Sequence, residues 1–308
     1  MEQIANRYAV LAVLGEGGMG QVLQVKDLAT GQELALKLLK TATPEALTAP
    51  VSTALEKTTA STLGKGLQRE FWAMTRLCHP RLVKVFDYGV LPDGIPFFTM
   101  EMLRGTSLAK AIPLASEQVK DLLVKLCDPL GYIHSRGFVH GDLKPENICL
   151  LTSGDIKLLD FGLARRNDWN QEVISGTLNY LAPEMIRGGP GDARADLYSL
   201  GAVCYHLLVG QPPFTGDSAV EILKKHLYEP PLPPSSYVAC PPELESIILK
   251  LLAKDPLERQ QSSAAVTMAL GHVTIHDQPA ILVPSFIGRQ NELARLVECC
   301  NSLGTPTG

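Results

Sequence analysis

The stretches HGDLKPENICL, residues 140–150, and LLDFGLA, residues 158–164, decide the fold of this chain. The first places Asp142, Lys144 and Asn147 on one short loop, and in the second Asp160 follows an apolar strand. An aspartate can accept or orient a hydroxyl proton, and a lysine can neutralise charge on a phosphoryl group. Asparagine and aspartate oxygens are ligands that Mg²⁺ accepts. The two stretches therefore indicate a site for a phosphate and a hard cation.

A glycine-rich turn precedes these stretches in the chain. It reads GEGGMGQV, residues 15–22, and lies between two predicted strands. Glycines let a β-turn approach phosphates closely, with backbone N–H groups pointing at the anion. A plain hairpin turn explains the same pattern when it is taken alone. No helix follows the turn, which speaks against a dinucleotide-binding fold.

A lysine on an apolar strand follows this turn. Alternation along LALKLL places Ala35 and Lys37 on the same face of the strand. A lysine on the cleft-facing side of such a strand needs an anionic partner, either a phosphate or a carboxylate. A solvated lysine on an edge strand is the alternative.

The periodicity of the chain changes near Gly105. Residues 8–39 alternate as three short antiparallel strands, residues 66–78 read as a helix, and two more strands follow. Residues 41–66 are rich in Thr, Ser and Ala and predict a long insertion. After Gly105, SEQVKDLLVKLCDPLGYIHSRG, ADLYSLGAVCYHLLVG and PELESIILKLLAK predict helices. The pattern is typical of a small β-rich part followed by a larger helical part, with a cleft between them.

Composition excludes several classes of protein. The chain has 308 residues, of which 45% are hydrophobic and 19% charged, as in ordinary globular proteins. A net charge of -4 gives no argument for nucleic acid or an anionic membrane surface. No apolar run reaches membrane-spanning length, and the N-terminus does not read as a signal peptide. The seven cysteines form no C-x-x-C pair, which predicts reduced thiols and a cytoplasmic location.

The four signals in this order resemble the protein kinases of the eukaryotic-like, or Hanks, type, and especially their bacterial members. The resemblance covers residues 8–272 and implies an α+β, bilobal fold. An N-lobe with a small antiparallel β-sheet and one main helix spans about residues 8–100. The hinge spans about 101–105, and a mainly helical C-lobe spans about 106–272.

The resemblance also implies roles for individual residues. Lys37 pairs with the α- and β-phosphates of ATP and is held by Glu70. Asp142 is the catalytic base, Lys144 contacts the γ-phosphate, and Asn147 and Asp160 bind the metal ion. The phosphates lie under a loop made of Leu14, Gly15, Glu16, Gly17, Gly18, Met19, Gly20, Gln21 and Val22.

An adenine pocket follows from the same resemblance. Val22, Ala35 and Cys149 would sandwich the ring, although plain core packing explains these apolar residues equally well. Met100 falls at the gatekeeper position, and the backbones of Glu101 and Leu103 would bind adenine at the hinge. The implied spine residues are Met74, Val85, His140 and Phe161.

The C-lobe carries further matches. GTLNYLAPE, residues 176–184, resembles the segment that receives the substrate peptide, with Thr177 contacting the catalytic aspartate and lysine. Asp196 resembles the helix aspartate that braces the catalytic loop. Arg259 resembles the arginine that pairs with Glu184.

The sequence departs from the family at three places. Gly141 stands where many kinases have an arginine, so a switch based on a phosphate–arginine contact is not expected, unless Arg165 or Arg166 takes that part. The 41–66 insertion is either a loop of no consequence or an autophosphorylation region. Residues 273–308 form an extension that, from Pro284 onward, resembles the entry to an ATPase module, or else a short helix packed on the C-lobe.

The expected function is transfer of the γ-phosphoryl group of ATP to Ser or Thr hydroxyls of proteins, including the chain itself. The expected cofactors are ATP and Mg²⁺, with Mn²⁺ as a substitute. The expected partners are a protein substrate and a C-terminal ATPase or regulatory domain, without nucleic acid or membrane. A nucleotide-binding scaffold without catalysis and a small-molecule kinase are the alternatives. Small-molecule kinases share the His-Gly-Asp loop but lack the peptide-docking segment.

Overall fold

The computed structural model describes residues 3–17, 20–39, 67–68, 71–160, 178–189 and 191–271. The N-terminal part is a six-stranded antiparallel sheet with the strand order β1-β2-β3-β4-β6-β5. Residues 67–68 and 71–75 are helical and lie between β4 and β5 in the chain. The strands are β1 Gln3–Ile4, β2 Tyr8–Gly17, β3 Gly20–Asp27, β4 Glu33–Leu39, β5 Val85–Val90 and β6 Pro96–Glu101.

The C-terminal part combines helices with a second, three-stranded sheet. This sheet has the order β7-β8-β9 and carries the loop of residues 140–147 immediately before β8. Its strands are β7 Gly105–Ser107, β8 Ile148–Leu151 and β9 Ile156–Leu158. The helices are α1 Ser116–Ser135, α2 Pro183–Ile186, α3 Ala193–Val209, α4 Ala219–Tyr228, α5 Pro242–Leu251 and α6 Ser263–Ala269.

Strand β4 is buried on both faces because two hydrophobic clusters meet it. Leu34 and Leu36 belong to a small hydrophobic cluster formed by side chains of the N-terminal sheet. Ala35 and Lys37 alternate to the opposite side and are also buried. The sheet therefore presents a lysine on a face that water barely reaches, as the alternation predicted.

Helix α3 is the most buried helix of the C-terminal part. It begins at Asp192, whose side chain accepts a hydrogen bond from the backbone N–H of Arg194, and ends at Gly210 with φ 87°. Twelve of its residues are buried, including Asp196 in its first turn. A carboxylate at that depth needs hydrogen-bonding partners, and the catalytic loop supplies them.

The predicted α+β fold with two lobes is confirmed. The sequence did not predict β1, α2, α4 or α6, which are short or flanked by prolines and loops. The 41–66 insertion and the ATPase-like stretch after Pro284 lie outside the described residues, so both interpretations stay predictions. Within the part of the chain that is described, no helix has the length and apolar character needed to cross a membrane.

Candidate active site

Asp196 fixes the backbone of the loop that follows residue 139. Its Oδ2 accepts a hydrogen bond from His140 N and its Oδ1 accepts one from Gly141 N, both at 2.8 Å. His134 Nε2 lies 2.7 Å from Oδ2 of the same carboxylate. Gly141 has φ 72°, a conformation that glycine adopts without the steric cost borne by other residues. The backbone of the loop is therefore held by Asp196 just before Asp142, which is the bracing role that the resemblance implied for Asp196.

Asp142, Lys144 and Asn147 lie within hydrogen-bonding distance of one another. Lys144 Nζ is 2.8 Å from Asp142 Oδ2, and Asn147 Nδ2 donates to the same oxygen at 3.0 Å and to Asp142 O at 2.8 Å. The other carboxylate oxygen, Asp142 Oδ1, is buried and has no hydrogen-bond partner among the described residues. A buried carboxylate oxygen held in this way is available to a hydroxyl group of a substrate.

Lys37 and Asp160 join the two lobes. Lys37 Nζ is 2.8 Å from Asp160 Oδ1, and the side chains are 10% and 38% exposed. Lys37 comes from β4, whereas Asp160 follows β9 and has the unusual φ of 37°. The resemblance named Glu70 as the residue that holds Lys37, and Glu70 lies outside the described residues.

The glycine-rich turn is the end of the β2–β3 hairpin. Gly15, Glu16 and Leu14 are exposed, and Gln21 and Val22 are half-buried. A Cβ atom at Gly20 would overlap the carbonyl oxygen of Leu38 on β4, so glycine is required there by strand packing. Strand packing therefore explains the glycine at position 20 without phosphate binding. Gly17 ends β2, and Gly18 and Met19 lie outside the described residues.

The residues of the predicted adenine pocket come from four strands, β3, β4, β6 and β8. Val22 lies opposite Lys37 in the β3–β4 register, and Ala35 lies opposite Met100 in the β4–β6 register. Cys149 on β8 is buried, which raises the pKa of its thiol and keeps it neutral. Glu101 ends β6, and Leu103 follows it half-buried. Of the spine residues, Met74 and His140 are buried and Val85 is half-buried, whereas Phe161 lies outside the described residues.

The predicted Glu184–Arg259 pair is formed. Arg259 Nη1 and Nη2 lie 2.7 and 2.8 Å from the two carboxylate oxygens of Glu184, in a bidentate arrangement. The Arg259 side chain is fully buried and also donates to the backbone carbonyls of Ala253, Arg194 and Lys254. The pair ties α2 to the segment between α5 and α6. Thr177, the predicted contact of the substrate, lies outside the described residues.

Sequence reasoning missed two interactions around the site. It did not name His134 as a partner of Asp196, because the sequence around a histidine on an amphipathic helix does not show which distant residue the histidine contacts. It also gave Glu101 only a backbone role, whereas the side chain of Glu101 contacts Lys157 Nζ at 2.6 Å. A lysine between two buried residues of a strand indicated that an anionic partner was needed, but not which residue supplies it.

The site offers few protein oxygen atoms to a cation, which suits a cation that completes its coordination with water and phosphate oxygens. In the described part of the chain, no group of three or more His, Cys, Asp or Glu residues could hold a metal ion alone. Asn147 turns its Nδ2 towards Asp142, so its carbonyl oxygen is the atom left for a cation, and Asp160 adds a carboxylate. One amide and one carboxylate match the sparse protein coordination of Mg²⁺ at phosphate sites.

Comparison with known proteins places these residues in a family. The model of the protein kinase domain matches residues 8–272. The chain belongs to the protein kinase family. Its curated relatives include bacterial serine/threonine-protein kinases, and the chain is a catalytic domain of the bacterial Hanks type.

Three of these relatives show the extent of the similarity. A probable serine/threonine-protein kinase of Corynebacterium efficiens is 33% identical over 285 residues, 87% of this chain and 41% of the relative. PknB of Mycolicibacterium smegmatis is 34% identical over 300 residues, 93% of this chain and 45% of the relative. The DNA damage-responsive kinase RqkA of Deinococcus radiodurans is 39% identical over 277 residues, 85% and 39% of the two chains. The chain spans less than half the length of these relatives.

Proposed function

We propose that this domain transfers the γ-phosphoryl group of Mg-ATP to serine and threonine hydroxyls of proteins. The observation that carries the proposal is the arrangement around Asp142, where Lys144 and Asn147 both contact one carboxylate oxygen and leave the other without a described partner. The names of the curated relatives support serine and threonine as acceptors. The half-buried Asp142 sits at the loop that the family uses for phosphoryl transfer.

In this mechanism, Asp142 orients the substrate hydroxyl and accepts its proton through Oδ1. Lys144, 2.8 Å from Oδ2, neutralises charge on the phosphoryl oxygens as the bond to the leaving group breaks. Lys37 holds the α- and β-phosphates from the N-lobe side. Asn147 and Asp160 would hold Mg²⁺, with Mn²⁺ as a substitute, and the bound cation neutralises phosphate charge.

The His-Gly-Asp loop supports activity without a phosphate–arginine switch. Gly141 has no guanidinium, and its backbone N–H is held by Asp196. The loop geometry before Asp142 therefore rests on a buried carboxylate rather than on a phosphorylated residue. Ser175 and Thr177 are the serine and threonine residues between Asp160 and Asn179 in the sequence. Ser175→Ala is expected to retain turnover, and abolition of turnover in that variant would refute this part of the proposal.

Autophosphorylation and a cytoplasmic location complete the proposal. The cysteines of the described residues are free thiols, which supports a reducing compartment. Phosphosite mapping after incubation with ATP would test self-phosphorylation, including the Ser- and Thr-rich 41–66 insertion. A C-terminal ATPase or regulatory domain remains the proposed partner in the full protein.

Metal-dependent turnover tests the proposed function directly. Asp160→Asn replaces one of two proposed cation ligands, so transfer of labelled γ-phosphate should fall by at least about 100-fold. Circular dichroism should show that the variant keeps the fold. Near-normal turnover in Asp160→Asn would contradict the assignment of the metal site.

A further inference from the structure

Lys157 is a charged residue in the middle of a buried strand. Its neighbours Ile156 and Leu158 are fully buried, and alternation along β9 turns Lys157 to the opposite face. In the register of β8 and β9, Lys157 lies directly opposite Cys149, the residue predicted to contact adenine. Partner residues in a strand pair share a face of the sheet. Lys157 therefore lies beside the adenine pocket.

The ammonium group of Lys157 reaches the hinge. Its Nζ is 2.6 Å from Glu101 Oε1 and 3.2 Å from the backbone oxygen of Leu82. Glu101 Oε1 also accepts a hydrogen bond from the backbone N–H of Lys84 at 2.8 Å. The side chains of Lys157 and Glu101 are only 16% and 27% exposed, so water screens this ion pair less than a surface pair.

The backbone around this ion pair connects the hinge to β9. Glu101 N donates to Lys84 O at 2.9 Å, and Val83 N donates to Leu158 O at 3.0 Å. Leu158 N in turn donates to Arg81 O at 2.8 Å. Residues 81–84 are thus hydrogen-bonded to the hinge at one end and to β9 at the other. The side chain of Lys157 extends from β9 to this segment, at the backbone oxygen of Leu82, and to the hinge, at Glu101.

We propose that Lys157 is a positioning residue for adenine binding, which acts by holding the side chain of Glu101 against β9. The proposal rests on the proposed use of ATP by this domain. The Lys157–Glu101 contact sets the distance between the hinge backbone, which would bind the edge of adenine, and Cys149, which would contact its face. Without the ammonium group, the partly buried Glu101 carboxylate loses its charge partner and the hinge is less restrained.

Loss of the Lys157 side chain is expected to weaken nucleotide binding without slowing the chemical step. Asp142 is held by a separate set of contacts, through Asp196 and the backbone of residues 140 and 141. Loss of Lys157 leaves those contacts in place. The KM for ATP and the dissociation constant of ADP should therefore change while kcat changes little.

The test compares Lys157→Met, Lys157→Arg and Glu101→Gln in this chain. Lys157→Met should raise the KM for ATP and the Kd of ADP, measured by calorimetry, by about tenfold, with kcat within about twofold of the parent. Glu101→Gln should give a similar increase. The double variant Lys157→Met/Glu101→Gln should have a KM and a Kd no higher than those of the weaker-binding single variant, because both substitutions remove the same contact. Lys157→Arg keeps the charge and should recover most of the affinity. Lys26→Met, at an exposed lysine of β3, is the matched control and should leave both constants unchanged.

Several results would overturn the inference. One is an unchanged KM and Kd in Lys157→Met, another is an additive double variant, and a third is a fall in kcat without a change in ADP affinity. Thermal unfolding of the nucleotide-free variants separates loss of fold from loss of affinity, and Glu101→Gln still tests the contact if Lys157→Met does not fold. A parent chain that binds ADP but transfers no phosphate contradicts the proposed function alone, since the ADP constants still test Lys157. A parent chain that binds no adenine nucleotide contradicts both.

Discussion

At the scale of the residue, the two oxygens of Asp142 have different surroundings. Oδ2 contacts Lys144 and Asn147, whereas Oδ1 is buried without a described partner. A polar atom left in that condition costs free energy unless a ligand satisfies it. The arrangement is therefore better explained by catalysis than by stability. A solvated loop residue, the alternative for each acidic residue taken alone, would not be buried in this way.

Lys144→Ala should lower kcat by about 100-fold, because the variant removes the cation that stabilises charge on the transferring group. The fold should survive, since Asp196 holds the backbone of this loop at residues 140 and 141. Steady-state phosphotransfer at saturating ATP measures the effect. Lys224→Ala, at an exposed lysine of α4, provides the control. Equal kcat values for the two variants would remove Lys144 from the mechanism.

At the scale of the element, buried ionic groups hold loops to helices. Asp196 on α3 binds the backbone before Asp142, and Arg259 binds Glu184 at the start of α2. In both cases a charged side chain is almost fully buried, and loss of its contacts leaves a charged or polar group without compensation. These contacts explain how loops without regular structure keep a defined position.

Arg259→Met should destabilise the domain by about 3–5 kcal/mol, since it leaves the Glu184 carboxylate without its bidentate partner. Urea denaturation followed by tryptophan fluorescence measures the loss. Glu221→Gln breaks the exposed pair with Lys225 on α4 and should leave the denaturation midpoint nearly unchanged. The reverse ranking of the two variants would contradict the structural role of Arg259.

At the scale of the whole molecule, the order of motifs in the sequence predicted the fold and the site residues better than it predicted which side chains contact one another. The positions of Lys37, Asp142, Asn147 and Asp160 followed from local motifs, and the structure brings Lys37 into contact with Asp160 and Asn147 into contact with Asp142. The contact between Lys157 and Glu101 could not be predicted, because 56 positions separate the two residues and a single lysine in a strand does not specify its partner. Strand β1, with two residues, carries too short a pattern to be recognised.

The stability of the whole domain should depend on pH through His226. This residue is fully buried, contacts Tyr198 Oη through Nδ1, and has its pKa lowered to about 3, chiefly by burial. Between about pH 6.5, the ordinary histidine value, and pH 3, the unfolded chain binds a proton that the folded chain does not. Stability should therefore fall with falling pH in that window, by about 1.4 kcal/mol per unit at most from this group.

Urea denaturation of the parent and of His226→Gln at pH 7.5, 6.0 and 5.0 tests this dependence. The variant is expected to be less stable at pH 7.5, because it loses the packing and the hydrogen bond of the imidazole. It should nevertheless lose less stability on acidification than the parent does. Parallel pH profiles for the two proteins would show that His226 is not responsible.

The most direct test of the whole account is transfer of labelled γ-phosphate from Mg-ATP, to the chain itself and to a generic basic protein, by the parent and by Asp142→Asn. The variant keeps the size and most hydrogen bonds of the side chain but removes the base. We predict transfer to serine and threonine by the parent and a loss of at least about 100-fold in Asp142→Asn. Equal transfer by both proteins, or none by a parent chain that binds ATP, would contradict the account.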